Sequence, residues 1–314
     1  MNTPLEHATH HDATTRQVGR RRRQPDRRVA LCVALLLGSV CVLHAATPSF
    51  LWKVTGPRGA TVYLAGSLHL LTSEYYPLAP AFDEAFTQSD LLVEELDMAE
   101  MQASDAQLQM LTRGMMPAGQ TLESVLSAST LAEVRAKVAE LGLPLAPLQL
   151  FKPWSLAMTL QGLAWQKAGL DPELGLDKHF YDRAKQTGMA VQGLETLDFQ
   201  LQQFDGMPMA LQERLLASTL KEMATTKDSV GALARAWKEG DTATIEGLAV
   251  EDLKTEPAMY QRLLVDRNRN WLPKIEALFS RPTPAFVIVG AAHLVGSDGL
   301  LAALRSRGYT VAQM

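Results

Sequence analysis

Two short stretches of the chain repeat one pattern. Gly66-Ser67-Leu68-His69-Leu70-Leu71-Thr72-Ser73-Glu74 follows the apolar run Val62-Tyr63-Leu64-Ala65, and Gly290-Ala291-Ala292-His293-Leu294-Val295-Gly296-Ser297-Asp298 follows Phe286-Val287-Ile288-Val289. Both read G-x-x-H-L-x-x-S-acid directly after a run with the apolar, β-branched texture of a buried strand. A fold that uses both copies alike must end two strands on one side of a sheet. The spacing predicts a site built from two related halves, with each histidine beside the carboxyl end of its strand, where open α/β sheets hold their ligands. Gly66 and Gly290 are expected to allow a sharp turn that other residues resist.

The rest of the chain agrees with such a sheet. Residues 50–54 and 61–65, joined through Gly56-Pro57-Arg58-Gly59, read as a hairpin leading into the first motif. Residues 80–88 read as a helix with Phe82 and Phe86 on one face. Residues 90–95 form an apolar run that ends in Glu94 and Glu95. These two point to opposite faces of a strand, so only one of them can face a site. From about 103 to 280 helical periodicity dominates, with helices expected over 131–141, 154–167, 176–186, 211–223 and 258–279. One strand, 189–193, interrupts them, and Glu195 follows it. The chain closes with a strand at 285–289, a helix at 299–307 and a strand at 309–312. This order indicates an α/β core carrying a large helical insertion over 103–280.

Residues 1–46 carry a different signal. Seven arginines stand against three acids in residues 1–28. An uncharged apolar run over 29–42 and the small residues Ala45 and Ala46 follow. A basic leader, a short apolar segment and a small-residue exit describe a secretory signal. The run is shorter than the roughly 20 residues of a spanning helix, and an uncleaved N-terminal anchor is the alternative. The protein is therefore expected to be exported, periplasmic or secreted, with membrane contact only through a retained leader. The folded domain is expected over 47–314. Cys32 and Cys41 are the only cysteines and both lie in the leader. The remainder therefore has no thiol for nucleophilic catalysis or metal ligation. It keeps three histidines of seven, His69, His179 and His293. Without the basic leader it is more acidic than the whole chain, whose formal charge is −4. That balance argues against a nucleic-acid partner.

The candidate chemistry gathers on strand ends. Two imidazoles, His69 and His293, and two carboxylates, Glu95 and Glu195, can converge on one rim. Such a set can hold a divalent ion such as Mn, Co or Zn, or it can do acid–base work, with a histidine activating water. His179 lies inside a helix and reads as a packed or surface residue. The helix around 260–271 is rich in arginine, and one arginine can clamp an anionic intermediate. Phosphate-loop, G-x-S-x-G and H-E-x-x-H patterns are absent.

These residues resemble the TraB/PrgY/GumN family, the bacterial branch of a group that includes the Tiki proteases and, more distantly, the erythromycin esterases. The resemblance spans roughly 49–314. It rests on the paired G-x-x-H motifs, on Ser89-Asp90-Leu91-Leu92-Val93-Glu94-Glu95-Leu96-Asp97, on Lys152-Pro153-Trp154, on Leu194-Glu195-Thr196-Leu197, and on Asp266-Arg267-Asn268 with Trp271. It implies a duplicated α/β unit with helical decoration, favours Glu95 over Glu94, and points to Gly66, His69, Glu95, Glu195, Arg267, Gly290 and His293 as site residues. The Tiki branch is associated with metal-dependent peptide cleavage, the esterase branch with a metal-free histidine base, and the TraB and PrgY branch with peptide pheromones. The expectation is an exported metal-dependent hydrolase with a peptidase-like activity, its substrate a peptide or small molecule. In it His69 and His293 ligate the metal, Glu95 serves as third ligand or base, Glu195 orients a histidine or water, and Arg267 stabilises an oxyanion. A metal-free esterase-like hydrolase and a non-catalytic sequestering protein are the alternatives.

Overall fold

A computed structural model of the chain describes residues 48–223 and 226–314. The leader, with both cysteines, lies outside the described residues. Six strands form one mixed sheet: β1 Leu51–Thr55, β2 Thr61–Ser67, β3 Leu91–Leu96, β4 Ala190–Glu195, β5 Ala285–Gly290 and β6 Thr310–Gln313. Their order is β4-β3-β5-β2-β1-β6. β2, β5, β3 and β4 run parallel, and β1 pairs antiparallel with both β2 and β6.

Sequence texture explains the order. β3 is buried at every position and β5 at all but its last, as expected of central parallel strands covered on both faces. β4 and β6 alternate or lie open, and they take the two edges. The β1–β2 hairpin closes through Gly59, whose φ of 86° is a left-handed conformation that favours glycine. The chain ends are tied together: Ser49 N–H donates to the Met314 carbonyl at 2.6 Å, and Met314 N–H to the Leu51 carbonyl at 2.9 Å.

The expected helices form where their punctuation predicts. Pro153 and Pro257 occupy first turns, where a missing N–H costs nothing. Gly188 ends the helix Leu176–Thr187 in a left-handed cap, φ 71°. The span expected as one helix over 258–279 instead contains a π turn, Gln261–Val265, just before the helix Asp266–Leu278. A second π turn, Glu246–Glu251, follows the helix Thr242–Ile245. Such turns widen a helix locally and recur at functional sites; a periodicity of 3.6 residues does not reveal them.

Among the described residues the apolar side chains gather into one main core, a second helical core and two small clusters. The main core joins both faces of the sheet, from Phe50 and Trp52 through Phe180, Trp237 and Trp271 to Leu304. A separate core, including Leu122, Val134, Leu156, Leu160 and Leu216, contains no strand residue. The helical insertion is therefore not a uniform addition: its strand β4 belongs to the main sheet, while part of its helices bury one another.

Candidate functional site

The parallel strands bring both repeated motifs to one rim. β2 and β5 are neighbours, with Gly66 beside Val289 and Ser67 beside Gly290. β3 ends on the same rim with Glu95, and β4 with Glu195. Alternation sorts the adjacent glutamates as expected. Glu95 meets Arg267 from the helix Asp266–Leu278. Glu94 faces the other way, toward Asp177 and the helix Leu176–Thr187. Glu94 is 2 % exposed and its Oε1 has no hydrogen-bond partner. Burial, reinforced by the Asp177 charge, pushes its carboxyl up to about 9, so it is a neutral acid at physiological pH.

The motif glycines serve different ends, and neither supplies the special turn expected of it. Gly290 has φ −50°, ψ 136°, and Gly66 sits inside β2. What each provides is space. A Cβ on Gly66 would stand 2.3 and 2.6 Å from the Phe50 ring. A Cβ on Gly290 would stand 3.2 Å from Glu95 Oε1, 3.6 Å from His293 Cδ2 and 3.8 Å from His69 Nε2. Three of the expected site residues thus border one methyl-sized position. Gly66→Ala is expected to destabilise the fold by about 1–3 kcal/mol through overpacking. Gly290→Ala meets Glu95 Oε1 less closely and should cost less stability than Gly66→Ala while disabling the site. Melting curves beside activity or ligand binding separate the two, and equal stability losses would overturn the distinction.

The twin histidines hold different charge states. His69 Nδ1 lies 2.8 Å from Asp177 Oδ2. Its side chain is 59 % exposed and Asp177 is 17 % exposed. The Asp177 carboxylate, against the opposing effect of desolvation, draws the imidazole up to about 9. His69 is therefore an imidazolium at neutral pH, with Nε2 turned toward Gly290. His293 is 6 % exposed. Burial pushes it down to about 3 against the pull of the Glu95 carboxylate, and the charges of Arg267 and His69 add to the lowering. Its Nδ1–H donates to Asn268 Oδ1 at 2.7 Å, and its Nε2 accepts from Arg267 Nη1 at 3.1 Å. A neutral imidazole with Nδ1 protonated satisfies both contacts.

Arg267 organises the buried side. Nη2 donates to Glu95 Oε2 at 2.5 Å and to Glu195 Oε1 at 2.7 Å, Nε donates to Glu195 Oε2 at 3.2 Å, and Nη1 reaches the Leu263 carbonyl at 3.4 Å besides His293. Each of its N–H directions is thus committed. Against the cost of burial, its charge holds the Glu95 carboxyl well below the usual carboxylate range, helped by the Gly290 N–H on Oε1 at 2.7 Å. Glu195 also accepts from Trp271 Nε1 at 2.9 Å, and burial still raises its carboxyl above the ordinary value. Two expected roles change. Glu195 orients the guanidinium rather than a histidine, and Arg267 has no N–H left to give an oxyanion.

The same contacts decide whether the set fits a divalent ion. Both Nδ1 atoms are held by outer acceptors, as in metal-binding histidines. Yet the His293 Nε2 lone pair and one Glu95 oxygen are taken by a guanidinium that is itself a fixed positive charge. An ion bound to His69, His293 and Glu95 would have to displace those bonds beside a committed cation. Among the described residues, no group of three or more His, Cys, Asp or Glu stands in metal-holding geometry. As arranged here, the residues do not fit a metal.

The rim opens into a cleft of about 380 Å³. His69, Glu95, Arg267 and His293 cluster at one end, and Trp165, Leu170, Val230, Leu233, Ile245 and Ala249 are among its walls. His179 plays no part there: its ring packs against Tyr76 and Phe180, with centroids 5.2 and 5.0 Å apart.

A model of the TraB/PrgY/gumN family matches residues 50–313, nearly all of the described chain. The chain belongs to the TraB/PrgY/gumN family. Among curated proteins, this family member is similar to the uncharacterized protein YbaP of Escherichia coli (strain K12), 27 % identical over 259 residues that cover 80 % of this chain and 90 % of that one. YbaP of Shigella flexneri matches with the same identity and coverage. No solved structure gives a significant match. Two contacts in this TraB/PrgY/gumN chain escaped sequence reasoning. Asp177 is one acid among many near a helix start, with nothing in its neighbourhood to tie it to His69, 108 residues away. Asn268 stood beside Arg267 within a quoted motif, but its hydrogen bonds to the His293 ring and carbonyl are tertiary facts.

Proposed function

We propose that the protein is an exported hydrolase of acyl bonds, ester or amide, that works without a metal through the His69–Asp177 pair. The observation that carries this reading is the position of His69: Asp177 holds Nδ1, while Nε2 borders the Gly290 space shared with Glu95 Oε1 at the polar end of the cleft. Deprotonated His69 takes a proton from a water molecule through Nε2 as the water oxygen attacks the carbonyl carbon. Asp177 stabilises the imidazolium that forms, which then returns the proton to the leaving oxygen or nitrogen. Glu95, kept ionised by Arg267, accepts a hydrogen bond from the hydrogen that stays on the water and so aims its oxygen. His293, neutral and doubly hydrogen-bonded, holds Arg267 in place. Export rests on the composition of the leader alone, and N-terminal mass analysis of secreted protein tests it.

The pH dependence has a defined sign. A base held at about 9 is protonated at neutral pH, so kcat/KM should rise about tenfold per pH unit from neutrality and level off near 9. Asp177→Asn removes the charge that raises His69. Its inflection should move down toward about 6.5, with a lower plateau because the ring is no longer oriented. An ester and peptide panel assayed in chelator, over pH, gives both results. Activity that appears only with added Mn, Co or Zn, or that falls rather than rises toward pH 9, would overturn this mechanism.

A further inference from the structure

The cleft has a polar end and an apolar body, and the body has a property that narrows its occupant. Trp165 lies in the helix Pro153–Lys167, Val230, Leu233 and Ala234 in Thr226–Lys238, Ile245 in Thr242–Ile245, and Ala249 in the π turn Glu246–Glu251. The backbone groups of helix interiors are bonded within their helices. Leu170, between helices, donates its own N–H to the Trp165 carbonyl at 3.1 Å. These helical walls therefore offer no free N–H or C=O row to a ligand backbone; the strand-end segments Ser67–Leu70 and Gly290–His293 also line the cleft and carry the two histidines. A peptide laid against these helical walls would bury its amides there without partners, which is unfavourable. A hydrocarbon pays no such penalty and gains from each buried methylene. A volume of about 380 Å³ suits a medium-length chain rather than a single methyl group.

The polar end completes the match. His69 is cationic there and its side chain is largely exposed, whereas Arg267 and the glutamates are committed to one another. A carbonyl or carboxylate headgroup can reach His69 while its chain lies against Leu233 and Ala249. We propose that the cleft is an acyl-chain site, and that the substrate class is an aliphatic acyl ester or amide whose hydrocarbon fills the cleft and whose carbonyl sits at His69. This rests on the hydrolase reading for turnover, but not for binding.

The test uses two series on the folded protein: straight-chain carboxylates from acetate to decanoate by calorimetry, and the matching nitrophenyl esters by hydrolysis. Affinity should increase about fourfold per added methylene and level off once the chain fills the cleft. Ala249→Trp, at a partly exposed position on the wall, should cut the plateau to shorter chains. Leu233→Phe, also on a partly exposed wall position, provides the same test should that variant fail to fold. Chain-length-dependent binding without hydrolysis of any ester upholds the acyl site and sinks the hydrolase. Hydrolysis with no dependence on chain length keeps the hydrolase and overturns the acyl site, as does a chain-length dependence unchanged in both filled variants.

Discussion

Replacing His69 with alanine is expected to remove turnover by a factor of about 10²–10⁴, the range for loss of a positioned acid–base group, while leaving the fold in place. The ring is more than half exposed, so solvent screens its pair with Asp177, whose carboxylate is mostly buried. Because that pair holds the imidazole up to about 9, it stabilises the fold while His69 is charged, and the melting temperature should fall by a few degrees at neutral pH and by less above pH 9. His293→Ala should behave in the opposite proportion. That ring is buried between Asn268, Arg267 and Trp271, with ring centroids of Trp271 and His293 4.4 Å apart. Its removal leaves a void and two unpaired donors or acceptors, so stability falls along with activity. Melting curves and esterase rates on the two variants decide the matter. Full activity in His69→Ala would end the proposed mechanism, and equal destabilisation of both would remove the asymmetry between the motifs.

Arg267→Met should be the most damaging single change to stability. The side chain of Arg267 is 11 % exposed, that of Glu95 10 % and that of Glu195 3 %. Removing the cation strands two carboxylates in a low-dielectric pocket. Breaking a buried pair from one side costs about 3–5 kcal/mol, which for a domain of this size corresponds to a melting temperature lower by on the order of 10 °C. The loss has a pH signature. Without Arg267 the Glu95 carboxyl is no longer held down, so both acids can be neutralised by protonation, and the deficit should shrink as pH falls from 7 toward 5. Arg267→Lys should recover only part of it, because a single ammonium cannot serve Glu95, Glu195 and His293 in the planar fork the guanidinium uses. Denaturant unfolding of the three proteins at two pH values measures this. A methionine variant as stable as the parent at neutral pH would show that the network is incidental.

The committed guanidinium also changes how the paired G-x-x-H motifs are understood. They promised two equivalent imidazoles, yet the surroundings made one a cation and the other a neutral hydrogen-bonding spacer. A symmetrical pattern in sequence became an asymmetrical site because one copy faces an acid at the surface and the other is buried against an arginine. The position of Arg267 depends on the π turn before it, and no periodicity in 258–279 announces that turn.

Much was nevertheless fixed by local physics. Apolar runs ending in Gly66, Glu95 and Gly290 read as buried strands because they are short, rich in Val and Ile, and bounded by glycine or carboxylates. Proline and glycine punctuation placed the helix ends, and alternation along β3 guaranteed that Glu94 and Glu95 part company. The sequence by itself thus determined the α/β class, the shared rim and the identity of most residues on it. Tertiary structure alone decided the charge of each histidine, the partner of each glutamate and the space around each glycine. Those properties come from groups such as Asp177, Asn268 and Phe50, which lie far along the chain and meet the rim only after folding. A pKa, a hydrogen bond and a steric limit belong to a neighbourhood, and a linear sequence does not contain its neighbourhoods.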